Sequence, residues 1–189
     1  MTRIFIDRRY YSGKEKKWVS FETNPFLEKT KGNIYGRCVP CITNLYEQLK
    51  TGRRQIELGP AFHCWKVVVE VRSMEECVTF LERLEESASM DTDFKGRFGS
   101  GDEAKETKVL VFNAESDSER DELYGLVKEC ASLFSPEPPV FFHRACADLY
   151  HGLLGDWRKW KKTQAIERPE MVKPILARIG KVLFWEKET

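Results

Sequence analysis

Two cysteine pairs and one basic strand end are where residue type and spacing suggest chemistry in this 189-residue sequence. Cys38-Val39-Pro40-Cys41 is a Cys-x-x-Cys motif. At the start of a helix, the N-terminal field acidifies the first thiol of such a pair, a property redox enzymes use. Redox use also calls for a buried strand directly before the motif, and Lys31-Gly32-Asn33-Ile34-Tyr35-Gly36-Arg37 is a poor one. Joined by His63 and Cys64, the pair would supply three sulfurs and one nitrogen, a set that suits a tetrahedral structural zinc. Adjacent ligands close on one ion less readily than ligands two residues apart. Two unlinked buried pairs is the plainer reading, and neither a metal nor a cofactor is expected.

His143-Arg144 follows the apolar run Val140-Phe141-Phe142. Ligands commonly sit at strand ends of α/β sheets, and an imidazole beside a guanidinium suits an anion. Lys95, Arg97 and Lys108 lie at predicted strand ends of their own and are expected to join this site. Cys146 is the one nearby nucleophile for a thiol and histidine enzyme, but its spacing from His143 across a strand-to-helix corner fixes no productive hydrogen bond. The stretch Lys95-Gly96-Arg97-Phe98-Gly99-Ser100-Gly101-Asp102 has the glycines of a phosphate cradle without its context. A P-loop lysine opens a helix, whereas Lys108 here opens a strand. Trp157-Arg158-Lys159-Trp160-Lys161-Lys162 interleaves rings and cations, which can stack bases and neutralise phosphates. Trp157 and Trp160 also fall on an apolar helical stripe, so burial is their first use.

The elements that must position these residues are clearest in the middle of the chain. Trp65-Lys66-Val67-Val68-Val69-Glu70-Val71 and Lys108-Val109-Leu110-Val111-Phe112 are rich in β-branched residues and read as strands. Ser73-Met74-Glu75-Glu76 and Ser116-Asp117-Ser118-Glu119 are capping boxes, each followed by apolar residues at helical spacing. Phe94 to Phe98 and Val140 to Phe142 read as short strands. Ile4 to Phe21 reads as a hairpin turning at Ser12-Gly13-Lys14, Thr23 to Arg37 as irregular, and Thr43 to Lys50 as a short helix. Leu149, Leu153, Trp157 and Trp160 share one stripe of a further helix, and Arg168-Pro169-Glu170 opens a last one.

Thirty-one Lys and Arg against 30 Asp and Glu leave a net charge of +1, which excludes a polycation built to coat nucleic acid along its whole length. Hydrophobic residues at 41% exclude a disordered chain, and no apolar run approaches the roughly 20 residues of a membrane span. Met1 to Arg9 lacks the apolar stretch of a secretory leader, so a cytoplasmic protein with reduced thiols is expected. No linker stands out. One α+β domain over residues 1–189, with a mixed, mainly antiparallel sheet and helices packed on one face, is the expected architecture.

Between Trp65 and Trp157 the layout resembles the cap-binding translation initiation factor superfold, and within it the basophilic-leukaemia-expressed protein family. The parallels are Trp65-Lys66-Val67-Val68, the basic Lys95-Gly96-Arg97, the strand Lys108 to Phe112, Phe142-His143-Arg144 in place of an aromatic-lysine step, and Gly152 to Trp157. The chain departs from the pattern at His143, where the family has lysine, and at Ala145, where it has an acid. The resemblance implies a curved sheet backed by helices with a basic or aromatic concave face, and not cap binding itself. The expectation is an intracellular binding domain for an anionic nucleotide or RNA, using Lys95, Arg97, Lys108, His143, Arg144 and Trp157. A zinc-stapled interaction module and a thiol enzyme using Cys146 and His143 remain the alternatives.

Overall fold

The computed structural model describes residues 3–7, 18–32, 38–89, 91–100, 107–144 and 147–184. In chain order the elements are β1 (Phe5–Ile6), β2 (Trp18–Glu22), α1 (Glu28–Gly32), α2 (Cys38–Lys50), β3 (Gln55–Glu57), β4 (Trp65–Val71) and α3 (Met74–Ser87). They continue with β5 (Lys95–Gly99), β6 (Lys108–Ala114), α4 (Asp117–Ala131), β7 (Val140–Arg144), α5 (Ala147–Leu154), β8 (Thr163–Ala165) and α6 (Val172–Phe184). The fold is α+β, built on an antiparallel sheet with helices. Its contacts gather into two compact units, residues 1–32 with 65–142 and residues 33–64 with 143–189.

The main sheet has the order β1-β2-β5-β6-β4-β7 and lies in the first unit except for the last two residues of β7. The pairs β1–β2, β2–β5, β5–β6 and β4–β6 are all antiparallel. Side chains alternate across a pleated strand, so the registers sort this sheet into two faces. Val67 opposite Phe112, Val69 opposite Leu110, Phe98 opposite Leu110 and Gly96 opposite both Phe112 and Phe21 define one face. These side chains are fully buried. Phe21 and Phe112 meet edge to face with ring centres 5.0 Å apart, and Phe94 approaches Phe112 at 6.2 Å. Helices α3 and α4 close this face with Cys77, Phe80, Leu81 and Leu84 of one and Leu123, Val127 and Cys130 of the other. Trp65 ties the face to α4, donating its indole N–H to the Asp117 carboxylate at 2.7 Å.

The serine half of each capping box forms as expected. Ser73 Oγ accepts from the Glu76 amide, and Ser116 Oγ from the Glu119 amide. The third-position glutamates reach back to the amides of Arg72 and Glu115, one residue before each cap.

Several expectations need correction. Thr23 to Arg37 is not wholly irregular, because α1 forms there. The buried Glu22 carboxylate accepts the Lys29 and Thr30 amides, a tertiary cap that no local spacing announces. Helix α2 begins at Cys38 rather than Thr43. The last long helix starts at Val172, after a turn of 3-10 helix over Pro169–Met171. Tyr10, Tyr11 and the turn at Ser12-Gly13-Lys14 lie outside the described residues.

The second unit has its own core, in which Cys41, Leu45, Ile56, Tyr150, Leu153, Trp160 and Ile179 are buried together. Its β3–β8 pair, with Ile56 opposite Gln164, is a sheet of three-residue strands too short to show periodicity. The stripe from Leu149 to Trp160 is not one helix. Gly155, at φ +69°, ends α5, and Asp156 caps a separate turn of 3-10 helix over Trp157–Lys159. Trp160 is still buried, and its indole N–H points to the Leu154 and Gly155 carbonyls.

Gly96 is a point of close backbone approach in the main sheet. A Cβ there would stand 2.1 Å from the Val111 carbonyl oxygen and 2.7 Å from Phe21 Cζ. Gly96→Ala is therefore expected to cost about 1–3 kcal/mol, a fall of roughly 3–10 °C in Tm, measured by calorimetry. Gly125 in α4 has nothing within 4 Å of its added methyl. Gly125→Ala should raise stability by about 0.5–1 kcal/mol through helix propensity. Equal effects of the two substitutions would contradict this packing.

Candidate functional site

The face of the main sheet turned away from α3 and α4 has a legible map. One row across the strands runs Ser20, Arg97, Val111, Val68, and its neighbour runs Trp18, Gly99, Val109, Glu70. Trp18 and Arg97 are diagonal neighbours on adjacent strands, a separation that long and aromatic side chains bridge. The Arg97 guanidinium lies over the Trp18 ring, 4.3 Å from its centre. Both side chains are half-buried, whereas Val68 and Val111 deeper in the sheet are buried. The result is an aromatic ring and a cation on one sheet surface, with the Ser20 hydroxyl beside them.

The other expected site residues are placed differently. Lys95 is buried and forms ion pairs with Glu115 at 2.7 Å and Glu119 at 3.3 Å. That makes it a tie between β5 and the start of α4 before it is a ligand contact. Lys108 pairs with Val71, which puts it on the helix-covered face, while Arg97 sits on the opposite one. The β5–β6 register also sets Lys108 at the Gly99 end of β5, about 15 Å along the strands from Lys95. The three sheet cations therefore do not converge on one point.

His143, Arg144 and Trp157 belong to the second unit. His143 Nδ1 lies 2.8 Å from the Arg144 carbonyl oxygen. The Arg144 guanidinium is buried over the Phe62 ring, 4.0 Å from its centre, and Phe62 meets the His63 ring edge on at 5.2 Å. Trp157 is half-buried against the core of that unit, with Arg158 over its ring at 4.9 Å. Arg158 rather than the run of lysines is its cationic neighbour.

Of the cysteines whose side chains are described, Cys41, Cys77 and Cys130 are buried and Cys64 is half-buried. Burial pushes the Cys77 thiol up to about 12 and the Cys130 thiol up to about 11. Cys41 is buried, with Tyr150 donating its hydroxyl to the Cys41 carbonyl at 3.0 Å. Among the described residues no three His, Cys, Asp or Glu side chains group to hold a metal. Cys146 and the Cys38 side chain lie outside those described.

Sequence reading missed Trp18 as a partner of Arg97 and missed how charge is distributed. Helix α3 carries five carboxylates against one arginine, and α4 carries five against two cations. With a net charge of +1 for the whole chain, the remainder carries eight more bases than acids. Those helix sequences were legible as acidic, and comparing them with the rest would have shown the asymmetry.

No known family model matches this chain, and no curated protein or solved structure is similar to it.

Cys77 and Cys130 are expected to resist iodoacetamide at neutral pH in the folded protein and to react readily in urea, followed by mass spectrometry of peptides. Rapid native labelling of either would contradict their burial.

Proposed function

We propose that this chain is a binding protein for a nucleotide or single-stranded RNA, held at Trp18 and Arg97 on the face of the main sheet opposite α3 and α4. The observation that carries this reading is the Arg97 guanidinium stacked on Trp18 at 4.3 Å on that face. An aromatic ring offers a surface on which a base can stack, and a guanidinium offers a planar donor fork to a phosphate. The acidic helices α3 and α4 repel a polyanion on their own side of the sheet. No catalytic step is assigned. His143 lies against a backbone carbonyl and Lys95 against two carboxylates, and neither arrangement makes a nucleophile and base pair.

The test is fluorescence anisotropy with a labelled single-stranded RNA and a nucleoside monophosphate competitor, at fixed moderate salt. Trp18→Ala and Arg97→Ala should each weaken binding about 5- to 100-fold, the range that one stacking contact supports. Lys108→Ala, on the opposite face, should change affinity less than twofold. Unchanged affinity in both Trp18→Ala and Arg97→Ala, with native circular dichroism, would overturn the proposal.

A further inference from the structure

Helices α3 and α4 bound a trough in the first unit whose lining includes neither Trp18 nor Arg97. Two cavities form it, of about 630 Å³ and about 550 Å³, and they share Ser87 near the end of α3. The larger has an apolar floor of Leu123 and Leu126, and Leu133, 57% exposed, lines the smaller. Carboxylates stand along the edge: Glu82 and Glu86 from α3, Asp91 from the turn after it, and Glu122 from α4.

Two further acids at the larger cavity already have cations. Glu119 pairs with Lys95, and Asp93 pairs with Lys29 and accepts the Thr23 hydroxyl at 2.5 Å. Burial works to raise the Asp93 carboxyl, but these partners outweigh it and hold the group below its ordinary range. Asp93 and Glu119 are thus walls of the cavity fixed by cations from within the chain. Arg83, the one base of α3, donates to the Leu133 carbonyl at 3.0 Å and stacks on Phe134, so it closes the far end of the trough.

The geometry points to this trough as a docking surface for a lysine- or arginine-bearing amphipathic segment of a partner protein. Charge complementarity selects the sign of the partner, because the two helices together carry seven more acids than bases. The apolar floor selects its form. A long basic side chain lays its methylene stem on leucine and keeps its charged head at the carboxylate edge. Two cavities in series along a helix pair suit an extended or helical segment, as in helix-in-groove recognition. A compact cation would fill only one of them.

The experiment uses the full chain and a short fluorescent peptide alternating lysine and leucine, with the glutamate and leucine analogue as control. Saturable binding of the lysine peptide alone is expected. Glu122→Lys should weaken it about tenfold, and Leu126→Ser, which leaves every charge in place, about fivefold. Neither side chain is in the closed core, and native circular dichroism checks that both variants fold. Three results would overturn the inference: no saturable binding, full affinity in Leu126→Ser, which would reveal only a diffuse field, or equal occupation by spermine at the same concentration.

Discussion

The close approach at Gly96 sets the register on which the first unit depends. Because this residue has no side chain, the Val111 carbonyl and the Phe21 ring come within a distance that any Cβ would forbid. Phe21, Phe98 and Phe112 can then share one face, and Ser20, Arg97 and Val111 the other. A slip of one residue in this ladder would exchange the two sets, burying a guanidinium and exposing three phenylalanines. The opposition between an apolar face under two helices and a face bearing Arg97 on Trp18 is a consequence of that contact.

The first unit concentrates acidic side chains on two of its helices. Its helices α3 and α4 are acidic on their outer surfaces because each needs apolar residues only on the stripe that meets the sheet. Glutamates at the third helical position double as caps, and Glu119 in addition holds Lys95. Helix capping, the tie to β5 and the negative field thus come from the same side chains. That field repels a polyanion from the helix side of this unit and attracts a basic segment to it.

Most of the architecture was legible where a local rule had enough residues to act on. The Val-rich strand from Trp65, the strand from Lys108 and both capping boxes needed only short windows of sequence. What escaped depended on contacts distant in sequence. Glu22 caps α1 from a neighbouring strand, β3 and β8 are three residues each, and Gly155 interrupts a stripe that otherwise reads as continuous helix. The candidate site divided in the same way. Arg97 was legible as a cation on a strand, but its partner Trp18 is brought beside it only by the β2–β5 register. Lys95 looked equivalent to Arg97 in sequence, and only the turn after β6 reveals the carboxylates that claim it.

The most direct measurement is a nitrogen-15 correlation spectrum of the side chains during titration with single-stranded RNA. The indole N–H of Trp18 and the Nε–H of Arg97 should shift together and saturate at one RNA per chain, while the backbone amides of Leu123 and Leu126 stay in place. Shifts at Trp157 with none at Trp18, or a spectrum indifferent to RNA, would contradict a ligand surface at Trp18 and Arg97.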